Sequence, residues 1–106
     1  MKPVFKRREV ASDLTDIYVW IAEDNLDAAE RFLAAVDRTF SEIQRNPELG
    51  WGRPWKIPEL AGMRSRRVRD FPNILIFYRE EQGAIQIYAV LSGYRDLEPA
   101  LKKRRR

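Results

Sequence analysis

The chain of 106 residues contains no cysteine and no histidine. Without cysteine it can form neither a disulfide framework nor a thiolate that binds a metal or acts as a nucleophile. Without histidine it lacks the commonest general base and the commonest zinc ligand in proteins. Its acidic residues are scattered over predicted helix surfaces without the spacing typical of metal ligands. We therefore expect no cofactor and no metal.

Long apolar runs are also missing. No run of about 18 apolar residues could span a bilayer, and the N-terminus has no apolar segment typical of a signal peptide. We therefore expect a cytoplasmic protein without a membrane partner. The length is that of one domain. We assign residues 1–101 to a single domain and residues 102–106, all basic, to a disordered tail.

Charge is unevenly distributed along the chain. The net charge is +4, but the last five residues are all positive, so residues 1–101 sum to −1. Residues 9–48 hold ten carboxylates against three arginines, whereas residues 63–80 hold five arginines against Asp70 and Glu80. The sequence therefore predicts acidic helices and a basic sheet, which differs from a uniformly basic nucleic-acid-binding protein.

Two amphipathic helices are predicted in the first half of the chain. Ser12 is expected to cap the first helix, because apolar residues then recur at helical spacing over residues 14–21. Asp27, followed three residues later by Glu30, is a variant of the capping box and is expected to open the second helix. That helix should end before Pro47, since the residue preceding a proline disfavours the α conformation.

Strands are predicted at residues 3–8 and, after a loop at 47–62, at about 63–70, 73–80 and 84–91, with a turn at Phe71, Pro72 and Asn73. The order strand–helix–helix–strand–strand–strand predicts an α+β domain. A helical hairpin should pack on one face of a small, mostly antiparallel sheet.

The loop carries two tryptophans, Trp51 and Trp55. They could stack on unpaired bases, because exposed aromatic rings near arginines do so. We favour the alternative that both are packed anchors that hold the loop against the domain.

Arg64, Arg66, Arg67 and Arg69 form the densest basic cluster of the folded part. The cluster is either a contact surface for a nucleic acid or an acidic partner, or a solvated strand that protects a sheet edge. Strand alternation predicts that Arg64 and Arg66 lie on one face and Arg67 and Arg69 on the other. Since one face meets the helices or the loop, at least one arginine should be structural, bonded to a carboxylate or to backbone carbonyls.

Seven segments of the chain, in this order, together resemble the RelE/ParE superfamily of toxins from type II toxin–antitoxin systems. They are residues 11–17, 21–25, 28–33, 46–50, 62–65, 71–79 and 90–97. The resemblance implies the helical hairpin on a sheet described above and a cognate antitoxin as partner.

The superfamily has two branches that differ in activity. RelE-like members resemble ribosome-dependent mRNA endonucleases, whereas ParE-like members poison DNA gyrase. Arg66 and Val68 stand nearest to two lysines of the RelE branch, and Leu75 stands where that branch has an arginine. Leu101 lies near the position of its C-terminal tyrosine. Arg95 matches the arginine that follows the glycine at the end of its last strand. Arginine stays protonated at neutral pH and is a poor proton acceptor, so the ParE-like interpretation is favoured.

The resemblance thus implies a ParE-like toxin without catalytic residues, associated with growth arrest and plasmid stabilisation. We expect it to poison DNA gyrase and to be neutralised by its antitoxin, and its basic sheet face and tail could contact nucleic acid. The candidate contacts to target or antitoxin are Arg64, Arg66, Arg67, Arg69 and Arg95. The alternatives are a RelE-like mRNA endonuclease and a non-toxic module that only binds antitoxin.

Overall fold

The structure, a computed structural model, describes residues 1–93 and 97–104. Strand β1 (Val4–Lys6) is followed by helices α1 (Glu9–Ala22) and α2 (Leu26–Arg45) and by the two-residue strand β2 (Trp51–Gly52). Strands β3 (Arg64–Val68), β4 (Phe71–Glu81) and β5 (Ala84–Ser92) form the meander, and α3 (Leu97–Lys102) follows. Short 3₁₀ turns lie at Pro47–Leu49 and Pro58–Leu60.

The five strands form one sheet in the order β1-β5-β4-β3-β2. Strand β1 is parallel to β5, and the other neighbours are antiparallel. The predicted α+β fold, with a helical hairpin on a mostly antiparallel sheet, is confirmed. The short strand β2 was not predicted.

Both helices begin earlier than predicted. Helix α1 starts at Glu9, because the Val10 amide already donates to the Arg7 carbonyl at 3.0 Å, and Ser12 lies inside the helix. Helix α2 is capped by Asn25, whose side chain accepts from the Ala28 amide at 3.0 Å. Its end at Arg45 agrees with the proline signal.

The predicted turn at Phe71, Pro72 and Asn73 is wrong. Strand β3 ends at Val68, the chain turns at Asp70 with φ of 68°, and Phe71 already pairs with Val68. The register jumps here, since Arg67 pairs with Leu75. Pro72 therefore lies in a bulge, where its missing N–H costs no ladder hydrogen bond.

The sheet is covered on both faces, so the apolar run of β4 is buried on both sides. On one face α1 and α2 pack against alternate residues of the strands, among them Ile74, Ile76 and Tyr78. On the other face Leu75 and Phe77 pack in a second cluster with the 53–63 loop and α3. Trp55 anchors this loop, because its indole N–H donates to the Met63 carbonyl at 3.0 Å and its ring meets Phe77 edge-on.

The first residues of the basic run follow directly from α3 and contact the domain. Lys102 belongs to α3, and the Arg104 guanidinium bonds both oxygens of the buried Asp13 carboxylate. The Arg7 guanidinium donates to the Arg104 carbonyl at 2.9 Å. A buried carboxylate on α1 thus draws a residue of the basic run onto the domain.

The described ranges, residues 1–93 and 97–104, lack two features. None of the helices there has the length and apolar character needed to cross a membrane. No group of three or more acidic side chains there is arranged to hold a metal ion.

Candidate functional site

A groove lies on the sheet face opposite the helical hairpin, at the end where β3 turns into β4. It has a volume of about 650 Å³. We call it the basic groove; it is lined by residues 51–53, 65–70, 72, 73, 75 and 93. Four of these residues are arginines, and among the described lining residues the carboxylate is Asp70.

Arg64 is structural and does not line the groove. Its guanidinium donates to the Gly50 carbonyl at 2.9 Å and reaches the Glu48 carbonyl at 3.5 Å. These bonds hold the segment after α2 against β3. The expectation of at least one structural arginine in the cluster is therefore confirmed.

Arg66 and Arg69 share one carboxylate of helix α2. A terminal nitrogen of Arg66 lies 3.9 Å from a Glu42 oxygen, and one of Arg69 lies 3.4 Å from the same oxygen. Placing Arg69 on the face of Arg67 was therefore wrong. Strand β3 ends at Val68, and the Arg69 amide bonds the Thr39 hydroxyl at 3.2 Å, so the chain has turned toward α2.

Arg67 is exposed on the groove side and lies beside Trp51. The two belong to the same face, because Trp51 pairs with Ser65, which lies two residues before Arg67. The Arg67 guanidinium lies 5.9 Å from the centroid of the Trp51 ring, within the range of a cation–π contact. Trp51 is 71% exposed, so the prediction that it is a packed anchor is wrong, although it holds for Trp55.

Arg53 is a groove residue that sequence reasoning missed. Its guanidinium lies 5.5 Å from the Trp55 ring and 5.9 Å from the Phe77 ring. The prediction for this loop considered only its apolar residues. Arg53 lies two residues after Trp51, so its place near Trp51 could have been predicted. Arg95, the fifth candidate, lies outside the described residues.

The groove offers permanent positive charge, an exposed aromatic ring and an apolar floor at Leu75. Glu42 partly neutralises Arg66 and Arg69. Of the residues described, neither Arg53 nor Arg67 has a carboxylate oxygen within 4.0 Å. Such a surface suits an anionic ligand with a planar group.

A second surface lies on the helical hairpin. Val19, Trp20 and Leu26 are exposed near the α1–α2 turn, and Trp20 is as exposed as Trp51, at 71%. Tyr18 donates to Glu30 at 2.8 Å and tethers the two helices. We call Val19, Trp20, Leu26 and the half-exposed Leu33 the hairpin patch. The hairpin that carries this patch is acidic, since residues 9–48 hold ten carboxylates against three arginines.

A buried polar cluster on β4 and β5 is structural. The Tyr88 hydroxyl donates to Glu81 at 2.6 Å and accepts from Arg79 at 3.0 Å. Arg79 also donates to the Glu59 and Ala61 carbonyls, both at 2.9 Å. Because Tyr88 is buried, this cluster holds the loop to the sheet and offers no open site.

Fold and site define a class: a small α+β protein with an acidic helical hairpin on one sheet face and an arginine-lined groove on the other. The sequence profile of the ParE toxin of type II toxin–antitoxin systems, parDE, matches residues 4–97. The chain therefore belongs to the ParE toxin family.

A solved structure has a similar fold. It is described as the chromosomal ParDE toxin–antitoxin system from P. aeruginosa, and its matching chain is 22% identical, with a TM-score of 0.69. The match covers 87% of this chain and 96% of that chain. At this identity the likeness concerns the fold. A search of curated proteins found no match.

Proposed function

We propose that this chain acts in the cytoplasm as a toxin that poisons DNA gyrase and arrests growth, and that a cognate antitoxin neutralises it. Membership of the ParE family supports the toxin role. The observation that carries the proposal for the site is the basic groove, with Arg53 and Arg67 exposed and unpaired among the described residues. Such a surface suits a toxin that binds its protein target or the DNA bound to that target.

Positions aligned with the RNA-cleaving branch favour this interpretation. Val68, Leu75 and Leu101 stand where, or close to where, that branch carries polar residues, and all three are buried apolar side chains. Arg66 is held near Glu42, and an arginine side chain is in general a poor proton acceptor. A proton acceptor for attack by a ribose hydroxyl would have to come from elsewhere.

Two features suit an antitoxin. The hairpin patch exposes apolar side chains within an acidic surface, which fits an amphipathic segment with basic flanks. Strand β2 pairs only with Arg64 and Ser65, so residues 66–68 have no strand partner on that side within the described chain. An extended antitoxin segment could add a strand there and cover the basic groove.

The first prediction tests the toxin's target. Purified protein should inhibit supercoiling by gyrase and accumulate linear plasmid. Because Arg67 is exposed and lies in the groove, Arg67→Ala should raise the half-inhibitory concentration at least about tenfold, equivalent to ~1.4 kcal/mol. The assay is a titration of toxin against gyrase with plasmid cleavage read on gels.

The matched control is Arg31→Ala, which removes one exposed arginine from α2, about three helical turns before the Glu42 that contacts the groove arginines. It should leave gyrase inhibition unchanged. Cleavage of mRNA on translating ribosomes, with no effect on gyrase, would support the RelE-like alternative. If the protein shows neither activity and its expression does not harm the cell, the alternative of a non-toxic module that only binds antitoxin is supported.

A further inference from the structure

We propose that the basic groove binds single-stranded nucleic acid, with Trp51 stacking on one unpaired base and the guanidinium groups of Arg53 and Arg67 contacting the flanking phosphates. The inference rests on the proposed function, because it names the ligand of the same groove. It adds that the toxin recognises an unpaired strand directly, without gyrase.

The position of Trp51 is the first observation. Trp51 belongs to a two-residue edge strand and is held in place by pairing with Ser65, yet 71% of it is exposed. A tryptophan ring that a sheet edge holds in water offers a large contact surface to a partner. Trp55, four residues later, is packed against Phe77, so exposure is specific to Trp51 and is not a property of the loop.

The charges around the ring are the second observation. Arg67 approaches the Trp51 ring at 5.9 Å, and Arg53 lies in the same groove. Glu42 is shared by Arg66 and Arg69, so Arg53 and Arg67 are the groove arginines without a carboxylate partner in the described chain. Asp70 is the opposing charge in the lining, and four arginines outweigh it.

These observations together favour an unpaired strand over a duplex or an acidic peptide. A tryptophan ring can stack only on a base whose face is open, which duplex pairing and stacking prevent. An acidic peptide would be attracted by the arginines but has no use for the exposed ring. Single-stranded DNA and RNA share the required chemistry of phosphates and open bases.

The experiment measures binding without gyrase. Fluorescence anisotropy is recorded for labelled oligothymidylate, oligouridylate and a duplex of equal phosphate number at several salt concentrations. Because base–aromatic stacking contributes about 1–3 kcal/mol by alanine substitution, Trp51→Ala should weaken binding of a single strand by roughly 5- to 150-fold. Arg67→Ala should weaken binding and lower the salt dependence.

Two matched controls separate stacking and charge from general effects. Trp20→Ala removes an equally exposed tryptophan from the acidic helical hairpin, and Arg31→Ala removes an exposed arginine from the first half of α2. Neither should change affinity for the single strands. A preference for thymidylate or uridylate identifies DNA or RNA as the source, and either supports the proposal if it depends on Trp51.

Several outcomes would overturn the proposal. They are an unchanged affinity for single strands in Trp51→Ala, an equal loss in Trp20→Ala, tighter binding to duplex, or Trp51-dependent binding of an oligoglutamate peptide with none of oligonucleotides. Gyrase inhibition without single-strand binding would contradict this inference but leave the proposed function intact. Single-strand binding without any gyrase effect would instead sink the proposed target.

Discussion

A single tyrosine hydroxyl connects the middle strand of the sheet to the segment after α2. Tyr78 is buried in the middle strand, and its hydroxyl donates to the Pro47 carbonyl at 2.6 Å and accepts from the Gly50 amide at 2.7 Å. Arg64 bonds the Gly50 carbonyl from β3. The segment after α2 is therefore held on both sides of Gly50, which positions β2 and Trp51 at the groove.

Gly50 is required here for space. A Cβ at this position would lie 2.2 Å from the Tyr78 hydroxyl oxygen, although the backbone, at φ of −70°, would accept any residue. Gly50→Ala should therefore destabilise the protein by about 1–3 kcal/mol, the usual cost of overpacking. Urea unfolding followed by tryptophan fluorescence measures the change.

Gly52→Ala is the matched control, since a Cβ there would meet nothing within 4 Å. It should shift the free energy of unfolding by less than about 0.5 kcal/mol. Equal destabilisation of the two variants would show that the Tyr78 contact does not account for Gly50.

At the scale of an element, the C-terminal segment is held to α1 by a partly buried ion pair between Arg104 and the buried Asp13. Asp13 accepts from the Val90 amide at 2.9 Å and from both terminal nitrogens of Arg104. The hydrogen bond from Arg104 to Asp13 also raises the pKa of the Arg104 guanidinium. Leu97 and Leu101 of α3 bury the rest of the segment against the second cluster.

Removing either side chain of the Asp13–Arg104 pair should destabilise the protein, but by different amounts. Asp13→Ala leaves both the Val90 amide and Arg104 without their acceptor, so we expect a loss of about 3–5 kcal/mol. Arg104→Ala leaves Asp13 bonded to Val90, so the loss should be smaller, about 1–3 kcal/mol. Urea unfolding gives the free energies, and hydrogen exchange of residues 97–104 reports local opening.

Lys103→Ala removes an exposed neighbouring cation and should leave both measurements unchanged. Fast hydrogen exchange of residues 97–104 in the unmodified protein would contradict the view that Arg104 holds this segment to the domain. Equal effects of the Lys103 and Arg104 variants would do so as well.

At the scale of the whole molecule, charge and burial are segregated by layer. The helical hairpin carries the acidic surface, and the opposite face of the sheet carries the basic groove. Between them lie two tyrosines, Tyr78 and Tyr88, whose burial raises the pKa of each hydroxyl above 10.0. The native state therefore holds both phenolic protons more tightly than the unfolded chain does.

This predicts an alkaline limit to stability. Below the unfolded pKa near 10 the tyrosine contribution is fully present, and it is lost as pH rises from there toward the higher folded pKa. The free energy of unfolding should fall steeply above pH 10. Urea titrations at pH 7 to 11 measure it.

Tyr78→Phe isolates the contribution of Tyr78 from lysines that titrate in the same range. It should be less stable at pH 7 by about 1–3 kcal/mol, because the Gly50 amide and Pro47 carbonyl lose their partner. Its decline above pH 10 should be shallower than that of the unmodified protein. Parallel pH curves for the two proteins would argue against a raised pKa at Tyr78.

The sheet and helices were predictable because their signals are local. Helical spacing in residues 14–21, alternation in β5 and the apolar run of β4 each depend on neighbours within the same element. Helix starts were less predictable, since Ser12 and Asp27 are good caps that the chain bypasses. A bond from the Val10 amide to Arg7 and the side chain of Asn25 provide the caps instead.

Sequence alone determined the layers of this protein and its segregation of charge, because periodicity and composition decide which surfaces must be buried. The likeness to ParE toxins was also visible in the sequence, as seven segments that resemble the superfamily in the same order. Only the tertiary structure decided the site. Arg64 and Arg69 turn to the helix side, Arg67 stays in the groove, and Trp51 is exposed while Trp55 is packed. These outcomes depend on where β3 ends and on bonds between distant segments, which no local pattern contains.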